Sequence, residues 1–396
     1  MALDRSPKTP QPGRALLDQA TLADLESVRL LLTGGSVIDW HRLSFADYGE
    51  VDRFLRVNEF DPEDVDDLNR LEELREEAVE YLAKSFNYRV PDEVGDGIPV
   101  RELFLLASQK GRRHTYACVV LKVMHVIHHL AGRELAFKLP ISNDELFGYV
   151  EKKVVRTVEE IRGAGYPIAE FAWSRKERDS LITKLLAKRE SIAASVYDKL
   201  RFRLITRTRD DLTPVLVELM HRLVPFNYVI PGESVNNILQ FRRLVEDTPQ
   251  FARFADQLQG DLEDEGAGAA GNEFSGPAYR IINFVADIPV RVDEYVASLG
   301  DSARDLGHVI FVLTEFQVMD AETARLNELG ENSHDAYKER QHARVKARLT
   351  GGSRALRERS APHVIEKEAP SGPLLPRIPT AATAADAATD DDEDDD

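Results

Sequence analysis

The chain has 396 residues, 43% of them apolar, which is enough for two or three domains with real cores. Its formal net charge of −18, from 51 basic and 69 acidic residues, argues against a general nucleic-acid binder, although the acidic run Asp390–Asp396 carries part of that charge. No apolar stretch of signal-peptide length opens the sequence, and no window of about 18 uninterrupted apolar residues occurs in it, so a cytoplasmic protein without a membrane segment is expected. The single cysteine, Cys118 in TYACVVLKVM, can form no internal disulfide and reads as a core residue.

Taken in chain order, residues 1–14 are rich in Pro and charge and are expected to be disordered. From 15 to 164 the pattern is helical. In DLNRLEELREEAVEYLAKSF, residues Leu68, Leu71, Ala78, Tyr81 and Leu82 recur at three- and four-residue steps, with acidic residues on the opposite face. RELFLLASQ and TYACVVLKVMHVIHHL continue in the same style. From 165 to 349 strand-like runs enter: DKLRFRLIT, AYRIINFVADIPV and HVIFVLTEFQV. Between the first two lies TPVLVELMHRL, where Thr213 can cap a helix and Pro214 can occupy its first turn. The order strand, helix, strand, strand, helix predicts an α+β fold, with a helical N-terminal domain followed by a mixed β-sheet flanked by helices. Residues 240–277 read as an insertion peripheral to the sheet, helical first and glycine-rich second, a candidate lid. Residues 350–396, ending in the acidic run, read as a disordered tail.

Two apparent motifs carry little. Gly266, Gly268 and Gly271 spell G-x-G-x-x-G, but they follow the acidic stretch GDLEDE instead of a strand, so a loop is the better reading than a dinucleotide site. No G-x-x-x-x-G-K-[ST] occurs. His125 and His129 lie four apart on a helix with His114 and His128 nearby, yet no third ligand is evident, and ordinary helix histidines are the simpler reading.

A stronger signal is distributed over the second half. The segment NELGENSHDAYK matches A-E-x-G-x-A-A-H-W-x-Y-K at Glu328, Gly330, His334, Tyr337 and Lys338. Upstream, Glu315 and Gln317 match E-x-Q-x-R-T, and period-two spacing puts both on one face of a strand. DKLRFRLI resembles D-x-x-G-x-R-[IV]-[IV] through Asp198 and Arg203. PAYRIINF resembles N-G-Y-x-S-x-H through Tyr279. WSRKERDSLITKLL resembles G-R-x-K-x-x-x-S-x-x-x-K-M with a one-residue gap, supplying Arg175, Lys176, Arg178 and Lys184. Taken in their order along the chain, from WSRKERDSLITKLL to NELGENSHDAYK, the motifs resemble the synthetase domain of the RelA/SpoT alarmone enzymes, a nucleotidyltransferase-like fold.

The resemblance implies a Mg²⁺-dependent transfer of pyrophosphate from ATP to the 3′-hydroxyl of GDP or GTP. Asp198 would be the first metal ligand and Glu315 the second ligand or the base that helps deprotonate the attacking hydroxyl, with Glu315, Asp198 and Gln317 at the catalytic centre. Arg175, Lys176, Arg178, Lys184 and Arg203 would hold phosphates and adenine, and Tyr279 would stack on the acceptor base. That chemistry needs carboxylates, cations and an aromatic face, and these residues supply them. Departures fall on the acceptor side. The motif glycine is Ala278, its histidine is Asn283, the arginine of E-x-Q-x-R-T is Met319 followed by Asp320, and the lysine motif K-D-Y-I has only the shadow VNNIL at Asn236 and Asn237. Two alternatives stand beside synthesis: a nucleotide-binding regulatory protein without turnover, and modification of another acceptor such as tRNA, for which the arginines near 341–359 would have to form a basic face. The only adjacent His-Asp pair, His334-Asp335, belongs to the last motif, so a hydrolase half is not expected.

Overall fold

The computed structural model describes residues 17–33, 43–187, 200–258, 278–299, 303, 305–329 and 334–359. The disordered amino terminus expected at 1–14, the glycine-rich part of the insertion with Gly266, Gly268 and Gly271, the candidate ligand Asp198, and Gly330 all lie outside the described residues, as does the acidic run. Residues through Arg348 form one compact unit and Leu349–Asp396 a second.

The helical half contains α1 (Leu22–Thr33), α2 (Tyr48–Val57), α3 (Val65–Phe86), α4 (Val100–Leu106), α5 (Arg112–Lys138) and α6 (Asn143–Gly163). Local signals set the starts of several. Asp47 accepts from the Glu50 amide at the head of α2, and Asp64 accepts from the Asp66 and Asp67 amides at the head of α3. Ser142 and Glu145 form a reciprocal capping box on α6. On α3, Leu71, Ala78 and Leu82 are buried as the spacing predicts, but Tyr81 is exposed and Leu74 takes the inward position. These residues pack with Leu55 of α2, Leu103 of α4 and Leu121 of α5 into a core of their own.

The main elements after α6 are β1 (Ile168–Arg175), α7 (Arg178–Ala187), β2 (Leu200–Thr206), α8 (Leu212–Arg222), β3 (Val235–Asn236), α9 (Phe241–Asp247), β4 (Ile282–Arg291), β5 (Val309–Asp320), α10 (Ala321–Asn327) and α11 (His334–Arg359). The sheet order is β1-β2-β5-β4-β3. β2 and β5 run parallel and the other pairs antiparallel, so the sheet is mixed as expected. Pro214 does lie in the first turn of α8, but Thr213 is inside the helix, and the cap passes to a Thr208–Asp211 box one turn earlier. The first part of the 240–277 segment is helical but not peripheral, since Phe241 and Phe251 are fully buried in the main core. Residues 350–359 continue α11 as helix.

The sheet has two unlike faces. Phe202 of β2, Phe284 of β4 and Phe316 of β5 stack in a row at 5.7 and 5.2 Å and join a core built with α1, α6 and α8. Alternate residues of the same strands point the other way. There α5 covers the beginning of β5: at Gly132 a Cβ would stand 2.5 Å from the Phe311 ring and 2.7 Å from the Val309 carbonyl oxygen. Further along β5 this second face carries polar side chains.

Candidate functional site

The polar side chains on the second face are placed by strand register. Arg201 of β2 pairs with Glu315 of β5, and Arg203 pairs with Gln317. Across β5, Glu315 faces Val285 and Gln317 faces Asn283 of β4. Residues two apart share a face, so Arg201, Arg203, Glu315, Gln317, Asn283 and Asp287 look the same way.

Glu315 is buried, with its carboxylate held on both sides. Arg201 Nε donates to Oε2 at 2.8 Å, and the Gln317 amide donates to Oε1 at 3.1 Å. Beside them, Arg203 reaches Met319 Sδ at 3.8 Å and Glu328 at 3.7 Å, and its Nε has no hydrogen-bond partner. Asn283 Oδ1, in the same cross-strand row, is likewise buried without a partner. The row Arg203, Gln317, Asn283 thus offers an unpaired donor and an unpaired acceptor on either side of one amide, groups that a polar ligand could satisfy.

Tyr279 closes one side of this group. Burial pushes its phenol above the usual tyrosine value and Glu315 and Tyr337 add to the rise, while the nearby charges of Arg203 and Arg201 oppose it. The backbone from Tyr279 to Ile281 is clamped by two asparagines. Asn237 donates to the Tyr279 carbonyl at 2.8 Å and accepts from the Ile281 amide, and Asn327 accepts from the Arg280 amide at 3.0 Å and donates to the Arg280 carbonyl. Asn237, the shadow of the missing lysine motif, therefore positions the aromatic residue. Asp320, where the motif has threonine, caps α10 through the Thr323 amide and hydroxyl.

A second cluster lies where α5 meets the same face. Asp287, fully buried on β4, accepts from His129 Nε2 at 2.9 Å and from Arg133 at 2.6 Å. Two of the four histidines considered as metal ligands are instead neutral core groups. Burial holds His125 and His128 down at about 3, with like-charge neighbours adding to the effect.

Of the residues predicted from sequence, Glu315, Gln317, Arg203 and Tyr279 are brought together. Arg175 is not. Its strand partner is Leu200, so it shares the core-facing side of the sheet, opposite Glu315, where Glu151 and Asp144 of α6 engage its guanidinium. Lys176 follows β1, Arg178 stands exposed at the start of α7, and Lys184 is half-buried further along that helix. Asp198 precedes β2 by two residues and lies outside the described residues. The described residues do not fit a Mg²⁺ site at Glu315: both of its oxygens are engaged, one by a guanidinium, and no group of three His, Cys, Asp or Glu converges among them. Sequence reasoning missed Arg201, which occupies the glycine of D-x-x-G-x-R and acquires its role only through the partner strand.

No family model and no curated protein matches the sequence. Solved structures do. This chain is similar to small alarmone synthetases. It is 16% identical to small alarmone synthetase 1 from Bacillus subtilis, with a TM-score of 0.28 over 54% of this chain and 90% of that one. For small alarmone synthetase 2 from the same organism the values are 13%, 0.27, 55% and 96%. A GTP pyrophosphokinase family protein from Streptococcus pneumoniae gives 14%, 0.27, 54% and 88%. Among the described residues no helix is long and apolar enough to cross a membrane.

Proposed function

We propose that the polar face of the sheet is a nucleotide site and that the chain moves pyrophosphate from ATP to the 3′-hydroxyl of a guanosine nucleotide, the reaction of the family its motifs resemble. The observation that carries this reading is the convergence of Arg203, Tyr279, Glu315 and Gln317, from three separate motifs, on one face that also holds an unpaired donor and an unpaired acceptor. Each group suits the chemistry. Arg203 can neutralise phosphate oxygens, and the Tyr279 ring offers a surface for a base. Arg178 and Lys184 are proposed to meet the donor phosphates, with the helical half capping one end of the face. In the reaction the acceptor hydroxyl oxygen bonds to the β-phosphorus of ATP, the bond from that phosphorus to the α–β bridging oxygen breaks, AMP leaves, and the hydroxyl proton goes to a base.

A second reading, nucleotide binding without turnover, is favoured by one contact. Glu315 could receive that proton only by releasing Arg201 or Gln317. Incubation of the full chain with radiolabelled ATP and GDP, GTP or tRNA, alongside equilibrium binding of each nucleotide, tests both readings. Labelled product that disappears in Glu315→Gln supports transfer. Binding without product selects the second reading, and a chain that binds no nucleotide refutes both.

A further inference from the structure

We propose that Arg201 is a built-in cation that takes the place of a divalent metal ion at Glu315, so that this face binds a nucleoside polyphosphate without a metal held by Glu315. Three observations carry it. The guanidinium is 2.8 Å from Oε2, and Gln317 engages Oε1 at 3.1 Å, so a metal would have to displace a donor from either oxygen. The pairing comes from the backbone, because Arg201 sits directly across from Glu315 in a parallel ladder, and no long reach from a loop is needed. The Glu315 side chain is only 9% exposed, and a carboxylate so desolvated requires a compensating positive charge. Where the D-x-x-G-x-R pattern has glycine, no side chain could supply that charge, and a metal ion would have room to do so. Here the chain supplies it from position 201. With the Glu315 charge compensated internally, Arg203 remains to meet phosphate oxygens beside the unpaired Asn283 oxygen.

The nucleotide as ligand rests on the function proposed above, whereas the metal part does not. Mn²⁺ uptake by the nucleotide-free full chain, followed by electron paramagnetic resonance, gives the direct test. Any Mn²⁺ that the acidic run Asp390–Asp396 takes up is common to every variant and cancels in the comparison. Wild type and Glu315→Gln are expected to take up the same amount. Arg201→Gly is expected to gain one site that the Arg201→Gly/Glu315→Gln double variant loses. If Arg201→Gly does not fold, Arg201→Met, which keeps the apolar stem, takes its place. In parallel, the affinity for ATP in EDTA is expected to stay within tenfold of that in Mg²⁺. Lower Mn²⁺ uptake in Glu315→Gln, no site gained on removing Arg201 from a folded protein, or a loss of tenfold or more in EDTA would each overturn the proposal. A wild-type chain that binds no ATP in either buffer removes the nucleotide reading, and the Mn²⁺ comparison still decides the role of Arg201.

Discussion

Replacing Gly132 with Ala tests how the helical half is seated on the sheet. The new methyl would lie 2.5 Å from Phe311 Cε2 and 2.7 Å from the Val309 carbonyl oxygen, so α5 or the ring must give by about 0.9 Å to reach the 3.4 Å of ordinary contact. Neither yields easily. Phe311 is held by Tyr228 at 4.5 Å, His129 at 4.8 Å and His128 at 5.4 Å, and the carbonyl belongs to a central strand. Overpacking of this kind costs about 1–3 kcal/mol, and the backbone contact puts Gly132→Ala near the upper end. Alanine returns about 1 kcal/mol of helix propensity. The net expectation is a loss of about 2 kcal/mol, read as a lower urea midpoint by circular dichroism with the slope unchanged. Gly163→Ala, at the end of α6 with nothing within 4 Å of the added methyl, is the control and should be neutral or stabilising. A Gly132→Ala protein no less stable than wild type would refute the close seating of α5 on β5.

Tyr279→Ala should weaken binding of the acceptor nucleotide by about 1–3 kcal/mol, the usual worth of a base stacked on an aromatic ring, while ATP binding changes less; calorimetry with each nucleotide measures the difference. His125 and His128 are held neutral at about 3, so the unfolded chain binds protons first as pH falls, and stability is lost below the ordinary histidine value of 6.5. Each should remove about 1.4 kcal/mol per pH unit on that limb, and His128→Met should flatten it in urea titrations at pH 5 to 7. Burial raises the Asp24 carboxyl, but the His221 hydrogen bond and charge and the Thr21 amide outweigh this and leave it below 3.8, so its contribution is full above that value and is lost as pH falls further. Asp24→Asn should therefore leave the acid limb above pH 4 unchanged and lower stability at pH 7. Burial pushes the Cys118 thiol up to about 11, and it should react with a disulfide reagent only after unfolding.

Much of the fold was legible because its signals are local. The alternation of HVIFVLTEFQV gives β5 and puts Glu315 and Gln317 on one face, and the three strand-like runs and the proline-started helix all appear in order. β1 was not legible: of Ile168–Arg175 only Ile168 is buried, so an edge strand leaves no apolar alternation to read. The same blindness misplaced Arg175, since its face is set by pairing with Leu200, a fact of register that its own neighbours do not encode. Arg201 and Asp287 were passed over for a related reason. Each looks like an ordinary strand charge until Glu315, or His129 and Arg133, arrive from distant parts of the chain.

The parallel pairing of β2 with β5 has a consequence for how the molecule comes into being. Arg201 and Glu315 are 114 residues apart, and the chain must build α8, β3, α9 and β4 before the strand that completes the pair is available. Such non-local closure is slow compared with the helix-on-helix contacts of the first half, so a nascent chain will hold a formed helical half beside an unfinished sheet. A fragment ending before Val309 would expose the inner edge of β2 and a half-built core to other chains in the same condition. For this protein β5 both seals the sheet against aggregation and brings Glu315 and Gln317 to Arg201 and Arg203, so solubility on truncation and ligand binding should be gained together at one chain length.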